Sequence, residues 1–134
     1  MTFDLRNFAE HYTAAWCSHN AANVASYYSP NGSLTINSGP PSVGRAAIAT
    51  AAQEFMAAFP DLKVSMDDIS MEGECAIYRW TLEGHNRGPS GNGAHVRISG
   101  YEVWQIGPEG LIAESQGHFD TGEWQLQRSP QAAQ

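Results

Sequence analysis

The chain has 134 residues, 42% of them hydrophobic and 16% charged, which describes one globular domain with a core of its own and not a disordered segment. The formal net charge is −7, and the seven Lys and Arg residues are scattered from Arg6 to Arg128, so no basic stripe exists to follow a nucleic-acid backbone or an anionic membrane surface. The opening stretch "MTFDLRNFAE" carries Asp4 and Glu10 and no long apolar run, which reads as neither a signal peptide nor a membrane span.

Leu5, Phe8, Ala9, Tyr12, Ala15 and Trp16 recur at helical spacing and predict a first helix from about residue 3 to about residue 18. "AANVASYYSPNG" predicts a second, short helix stopped by Pro30 and Gly32. "SLTIN" predicts a short strand and "SGPPSVG" a loop. Ile48, Ala51, Ala52, Phe55 and Phe59 mark a third helix from about residue 44 to Pro60.

The remainder reads as strands. "LKVSMDDISME" alternates, with a slip at Asp67-Asp68 that predicts a bulge. "CAIYRWTLEGH", "AHVRISGYEVWQI" and "LIAESQGHFDTG" follow, joined by "NRGPSGNG" and "GPEG", and predict an antiparallel meander. Helices first and strands afterwards indicate an α+β layer fold. Along residues 76–82, Tyr78, Trp80 and Leu82 share one face, while Ile77 and Arg79 take the other. Large groups on both faces imply that helices cover one face and a second copy of the chain covers the other. A single domain over residues 1–126 is expected, with a polar, frayed tail at 127–134. Cys17 and Cys75 are far apart in the chain, as in a protein of a reducing cytoplasm, and no ligand cluster with metal spacing exists.

Order and spacing resemble the nuclear transport factor 2-like fold, and within it the SnoaL-like polyketide cyclases. The matching stretches are "FAEHYTAAWCSHNAANVASYYSPNGSLTI", "VGRAAIATAAQEFMAAFPDLKVSMDDISMEGECAIYRWTLEGHN" and "VRISGYEVWQIGPEGLIAESQGHFD". The resemblance implies a cone whose curved, mostly antiparallel sheet and N-terminal helices enclose an apolar pocket. It also implies cofactor-free acid/base chemistry, cyclase-like or isomerase-like, on a small to medium apolar, polyketide-like ligand. In the family an intramolecular aldol step closes a ring, with one carboxylate in a dry pocket moving the proton. A non-catalytic ligand-binding domain, or a protein-interaction module, is the competing reading.

Asp120 matches the family's acid/base aspartate, and strand alternation places Gln116 and His118 on its face. Read from the residues alone, Asp120 is either a pocket acid or a strand-end residue that begins the turn with Thr121 and Gly122. His118 is either a proton carrier or a support for Asp120. Arg79, on a strand with large apolar neighbours, is paired inside with Asp120 or stands at a subunit interface. Limonene-epoxide-hydrolase-like enzymes, similar in the closing aromatic-Asp pair, use two aspartates bridged by an arginine. Arg79 and Asp120 fit two of those places, but Thr81 stands in the third. Ketosteroid-isomerase-like members carry a catalytic carboxylate near the end of the first strand, where "SLTINSG" has none. Tyr12, Trp16, Trp80 and Trp104 are core residues or walls for a flat ligand. Glu102 is a second pocket carboxylate or an exposed strand residue. "GPSGNG" resembles a shortened form of the family's mouth loop.

Overall fold

A computed structural model describes residues 4–87 and 93–128. Asp4 caps the first helix, α1 (Leu5–Cys17), by accepting the Asn7 N–H at 3.0 Å, and the apolar spacing read above turns Ala9, Tyr12, Ala15 and Trp16 inward. Asn20 caps α2 (Ala21–Ala25). The chain then runs through β1 (Tyr28–Ile36), longer than "SLTIN", and β2 (Ser42–Val43). "SGPPSVG" is therefore not wholly a loop, since Ser42 and Val43 pair with Leu34 and Ser33. At Gly44 the backbone takes φ 91°, a conformation that favours glycine, and α3 (Arg45–Ala58) begins immediately after it.

β3 (Lys63–Glu72), β4 (Cys75–His85), β5 (His95–Ile106) and β6 (Ile112–Phe119) form the meander. The six strands make one open sheet in the order β2-β1-β6-β5-β4-β3, with β1 parallel to β6 and every other pair antiparallel. The register of β3 against β4 shifts between Met66 and Asp68, the bulge read from Asp67-Asp68. A final helix, α4 (Thr121–Arg128), follows β6, where sequence reasoning expected only a turn and a tail. Residues 129–134 and most of "GPSGNG" lie outside the described residues.

One face of the sheet packs on α1 and α3. Its core is aromatic: Tyr78 and Trp104 stack at 4.8 Å between ring centroids, and Tyr12 meets both edge-on at 5.4 and 5.1 Å. Trp124 of α4 packs against Phe55, Phe59 and Phe119 at 5.3–6.0 Å, so α4 joins α3 to the end of β6. Gly100 faces inward beneath the Trp80 indole, where a Cβ would come within 2.7 Å of Trp80 Cζ2 and 2.3 Å of the His118 carbonyl. Only glycine leaves room for that ring.

Candidate functional site

Between the inner face of the sheet and α1, α3 and α4 lies a cavity of about 50 Å³. Such a space holds a few waters or one small organic group. Six rings contribute to its wall: Trp16, Phe55, Tyr78, Trp80, Phe119 and Trp124. Leu34, Leu82 and Ile98 add aliphatic surface, and Gly117 leaves a gap beside Glu102. Glu102 is the one carboxyl in the lining.

Glu102 lies on β5, between the outward Tyr101 and the half-buried Val103, and is itself buried. Its Oε1 accepts from Trp104 Nε1 at 2.8 Å, Tyr12 Oη at 3.1 Å and Ser115 Oγ at 3.1 Å. Tyr12 Oη is also within 3.0 Å of Tyr28 Oη. Three elements thus hold one carboxyl oxygen, and none of the described bonds uses Oε2. Burial pushes the Glu102 carboxyl above its ordinary value, against the opposing pull of the Trp104, Tyr12 and Ser115 donors. Burial also raises Tyr12, Tyr28 and Tyr78, helped in each case by the neighbouring Glu102 charge. These phenols stay protonated and can serve as donors. A carboxyl that resists ionisation in an apolar cavity, fixed through one oxygen, is a group suited to moving a proton.

The expected catalytic trio is not in this cavity. Asp120 is exposed, and its Oδ1 accepts the Glu123 N–H at 3.0 Å, which makes it the cap of α4. Gln116 is exposed and bonds to Glu114 at 2.8 Å. His118 lies on the outer face with its ring 5.0 Å from Tyr101. Arg79 is exposed on that face, its guanidinium carbon 5.7 Å from the centroid of the Tyr101 ring. The structure therefore joins Arg79 and His118 through Tyr101, in one row across β4, β5 and β6, and leaves Asp120 outside it.

A bulge is the physical cause. Ile106 pairs with Ile112, but Gln105 pairs with Glu114, so Ala113 is an extra residue in β6. Ile112 points inward, and after the extra residue so do Ser115 and Gly117, followed by Phe119 in the cavity wall. Gln116 and His118 share a face, as expected, but it is the outer one. Among the remaining candidates, Trp16, Trp80 and Glu102 line the cavity, while Tyr12 and Trp104 stand behind it and hold Glu102. The contributions of Phe55, Phe119 and Trp124 escaped sequence reasoning. Among the described residues, no group of three or more His, Cys, Asp or Glu is placed to hold a metal ion, and no helix is long and apolar enough to cross a membrane.

No curated protein matches the chain. A protein with a ketosteroid isomerase-like fold from Catenulispora acidiphila, solved in complex with trimethylamine, superposes with a TM-score of 0.79 at 15% identity, over 93% of this chain and 94% of that one. A candidate SnoaL-like polyketide cyclase from a Jannaschia species gives 0.79 at 16% identity, over 97% and 96%. The epoxide hydrolase/cyclase-like enzyme SalBIII, of pyran ring formation in salinomycin, gives 0.75 at 16% identity, over 88% and 92%. These likenesses show the nuclear transport factor 2-like, ketosteroid isomerase-like fold. Residues 9–115 match the SnoaL-like domain, and the chain belongs to that family.

Proposed function

We propose that the chain is a cofactor-free acid/base enzyme, cyclase-like or isomerase-like, that acts on a small apolar, polyketide-like carbonyl compound through Glu102. The observation that carries this reading is a buried carboxyl whose Oε1 is fixed by three donors at the wall of a largely apolar cavity. Ionised in that dry space, Glu102 is a stronger base than in water. It takes the proton from a carbon beside a carbonyl, and the C–H electron pair moves into an enolate. In a cyclisation the enolate carbon then attacks a second carbonyl, and the new alkoxide takes the proton back from Glu102. In an isomerisation the proton returns to another carbon. The cavity volume favours a small group over a polycycle.

The trimethylamine complex of the Catenulispora protein supports a second reading, a small-molecule-binding domain without turnover. Assays against polyketide-like ketones, lactones and epoxides separate the two. The enzyme reading expects turnover by the native chain and its loss in Glu102→Gln. Binding without any turnover across the panel favours the binding domain.

Two further readings concern assembly and location. A homodimer through the outer face would cover Ile77 and Val103, which pair across β4 and β5, and Tyr101, which pairs with Arg79 in the next row. Sedimentation at micromolar protein is expected to show a dimer that Tyr101→Glu dissociates, and a monomer throughout would end this reading. A cytoplasmic location fits the two free thiols, Cys17 and Cys75.

A further inference from the structure

Two buried side-chain polar atoms lack a hydrogen-bond partner among the described residues: Ser29 Oγ and Trp80 Nε1. Ser29 is not in the cavity lining, whereas Trp80 is. The Trp80 side chain belongs to a residue only 9% exposed. Burying an indole N–H without an acceptor is unfavourable, and native proteins rarely tolerate it without a reason. The buried indole of Trp104 makes the contrast plain, because its Nε1 donates to Glu102 at 2.8 Å.

The position of Trp80 supplies that reason. Tyr78 pairs with Glu102 and Trp80 with Gly100 across β4 and β5. All face inward, so Trp80 and Glu102 are diagonal neighbours, which in an ordinary sheet lie about 7–8 Å apart, their Cβ atoms somewhat closer. The Cζ2 edge of the indole, beside Nε1, lies over Gly100, between Ile98 and Glu102 on the same strand. Gly117 keeps the space beside Glu102 open, because a Cβ there would reach Glu102 Cγ at 3.6 Å. A residue whose indole N–H has no acceptor and a carboxyl whose Oε2 no described bond uses thus line the same small apolar space.

We infer that Trp80 Nε1 donates to an oxygen of the bound ligand, so that the cavity selects a neutral compound with an acceptor oxygen beside its acidic C–H over an isosteric hydrocarbon or an alkylammonium ion. The inference rests on the acid/base reading of Glu102 and assigns the second half of that site. As Glu102 Oε2 takes the proton, the C–H electron pair forms the enolate and negative charge gathers on the oxygen. An N–H that donates to that oxygen stabilises the charge. The proton later leaves Glu102 for carbon or alkoxide, and Trp80 is unchanged at the end.

The test uses binding, not turnover. Cyclopentanone, methylenecyclopentane and trimethylamine are titrated into the full chain and into Trp80→Phe, which removes the N–H and keeps a ring. The ratio of ketone to alkene affinity is expected to fall about two- to tenfold in the variant, the ordinary worth of one hydrogen bond. In the native chain the ketone is expected to shift the Trp80 indole N–H resonance downfield, and the alkene is not. The second readout decides the question if Trp80→Phe fails to fold. An unchanged ratio, a Trp80 resonance unmoved at ketone saturation, no ketone binding near its solubility limit, or preference for trimethylammonium each overturns the inference. Full activity in Glu102→Gln would instead sink the acid/base reading and leave the binding contrast intact.

Discussion

Glu102→Gln separates the structural from the chemical role of the buried acid. The amide oxygen of Gln can accept from Trp104, Tyr12 and Ser115 as Glu102 Oε1 does, while the NH₂ replaces Oε2. Packing is kept, and the ability to move a proton is lost. The stability effect follows from the raised carboxyl. Below the unfolded value of 4.5 both states hold the proton, and the full stability is present. As pH rises past that value only the unfolded chain releases it, and stability falls until the folded value is reached. Each pH unit in that window costs the native chain about 1.4 kcal/mol, and Glu102→Gln escapes this loss. Urea unfolding from about pH 4 to pH 9 is therefore expected to show similar stabilities at the acid end and a growing advantage for the variant above it. Turnover is expected to drop by about two to four orders of magnitude. Glu102→Ala contrasts with this. It strands the Trp104 N–H at a cost of about 1–3 kcal/mol, and the emptied volume adds about 2 kcal/mol or more. Parallel pH curves for the native chain and Glu102→Gln would mean that Glu102 ionises as easily folded as unfolded, and the buried-acid reasoning would fail.

Gly117→Ala is expected to fold normally, since its Cβ would make only ordinary contacts of 3.6 and 3.7 Å, but to weaken ketone binding by narrowing the cavity; equal affinity in calorimetry would move the ligand away from Glu102. Gly100→Ala is the opposite case, with its Cβ 2.3 Å from the His118 carbonyl, and is expected to lower stability by about 1–3 kcal/mol in urea unfolding. Asp61 accepts the His85 backbone N–H at 2.8 Å and meets His85 Nδ1 at 2.7 Å, contacts that hold its carboxyl at about 2. Its contribution is present above the unfolded value of 3.8 and is lost as pH falls toward 2. Asp61→Asn should thus be less stable than the native chain at pH 7 and equal to it near pH 2, and an equal deficit at both would refute the assignment.

α1, α3 and the phase of β4 were legible because each presents an unbroken periodic signal. Leu5 to Trp16 repeats at 3.6, and Tyr78, Trp80 and Leu82 repeat at 2, with no extra residue to shift them. β6 was legible as a strand but not in phase. Counting by twos from Ile112 turns Glu114, Gln116 and His118 inward, and the extra Ala113 reverses every one of them. Nothing in "LIAESQGHF" marks the bulge, because it arises where Gln105 and Ile106 change register against the turn. Glu102 was nameable as a candidate, but its burial depends on Tyr12 and Ser115, which are distant in sequence. α4 lacks an apolar stripe, with only Trp124 and Leu126 to form one. Its one local signal was Asp120 followed by Glu123, an N-cap with an acid three residues on.

That cap gives a final prediction, which tests the placement of Asp120 directly. A pocket acid and a helix cap respond oppositely to the same two substitutions. Asn is as good a cap as Asp, because its side-chain oxygen can accept the same Glu123 N–H. Asp120→Asn should therefore leave both stability and turnover close to native. Asp120→Ala removes the acceptor and is expected to cost about 1 kcal/mol. The loss should appear first in α4, loosening Trp124 from Phe55, Phe59 and Phe119. Since Trp124 is also cavity wall, Asp120→Ala should weaken ligand binding without touching the proton transfer. Hydrogen exchange across residues 121–128, read beside kcat and KM, distinguishes the cases. Faster exchange in α4 and a raised KM at native kcat is the signature of the cap. A collapse of kcat in Asp120→Asn, with α4 exchange unchanged, would make Asp120 the acid after all and leave Glu102 as its structural neighbour.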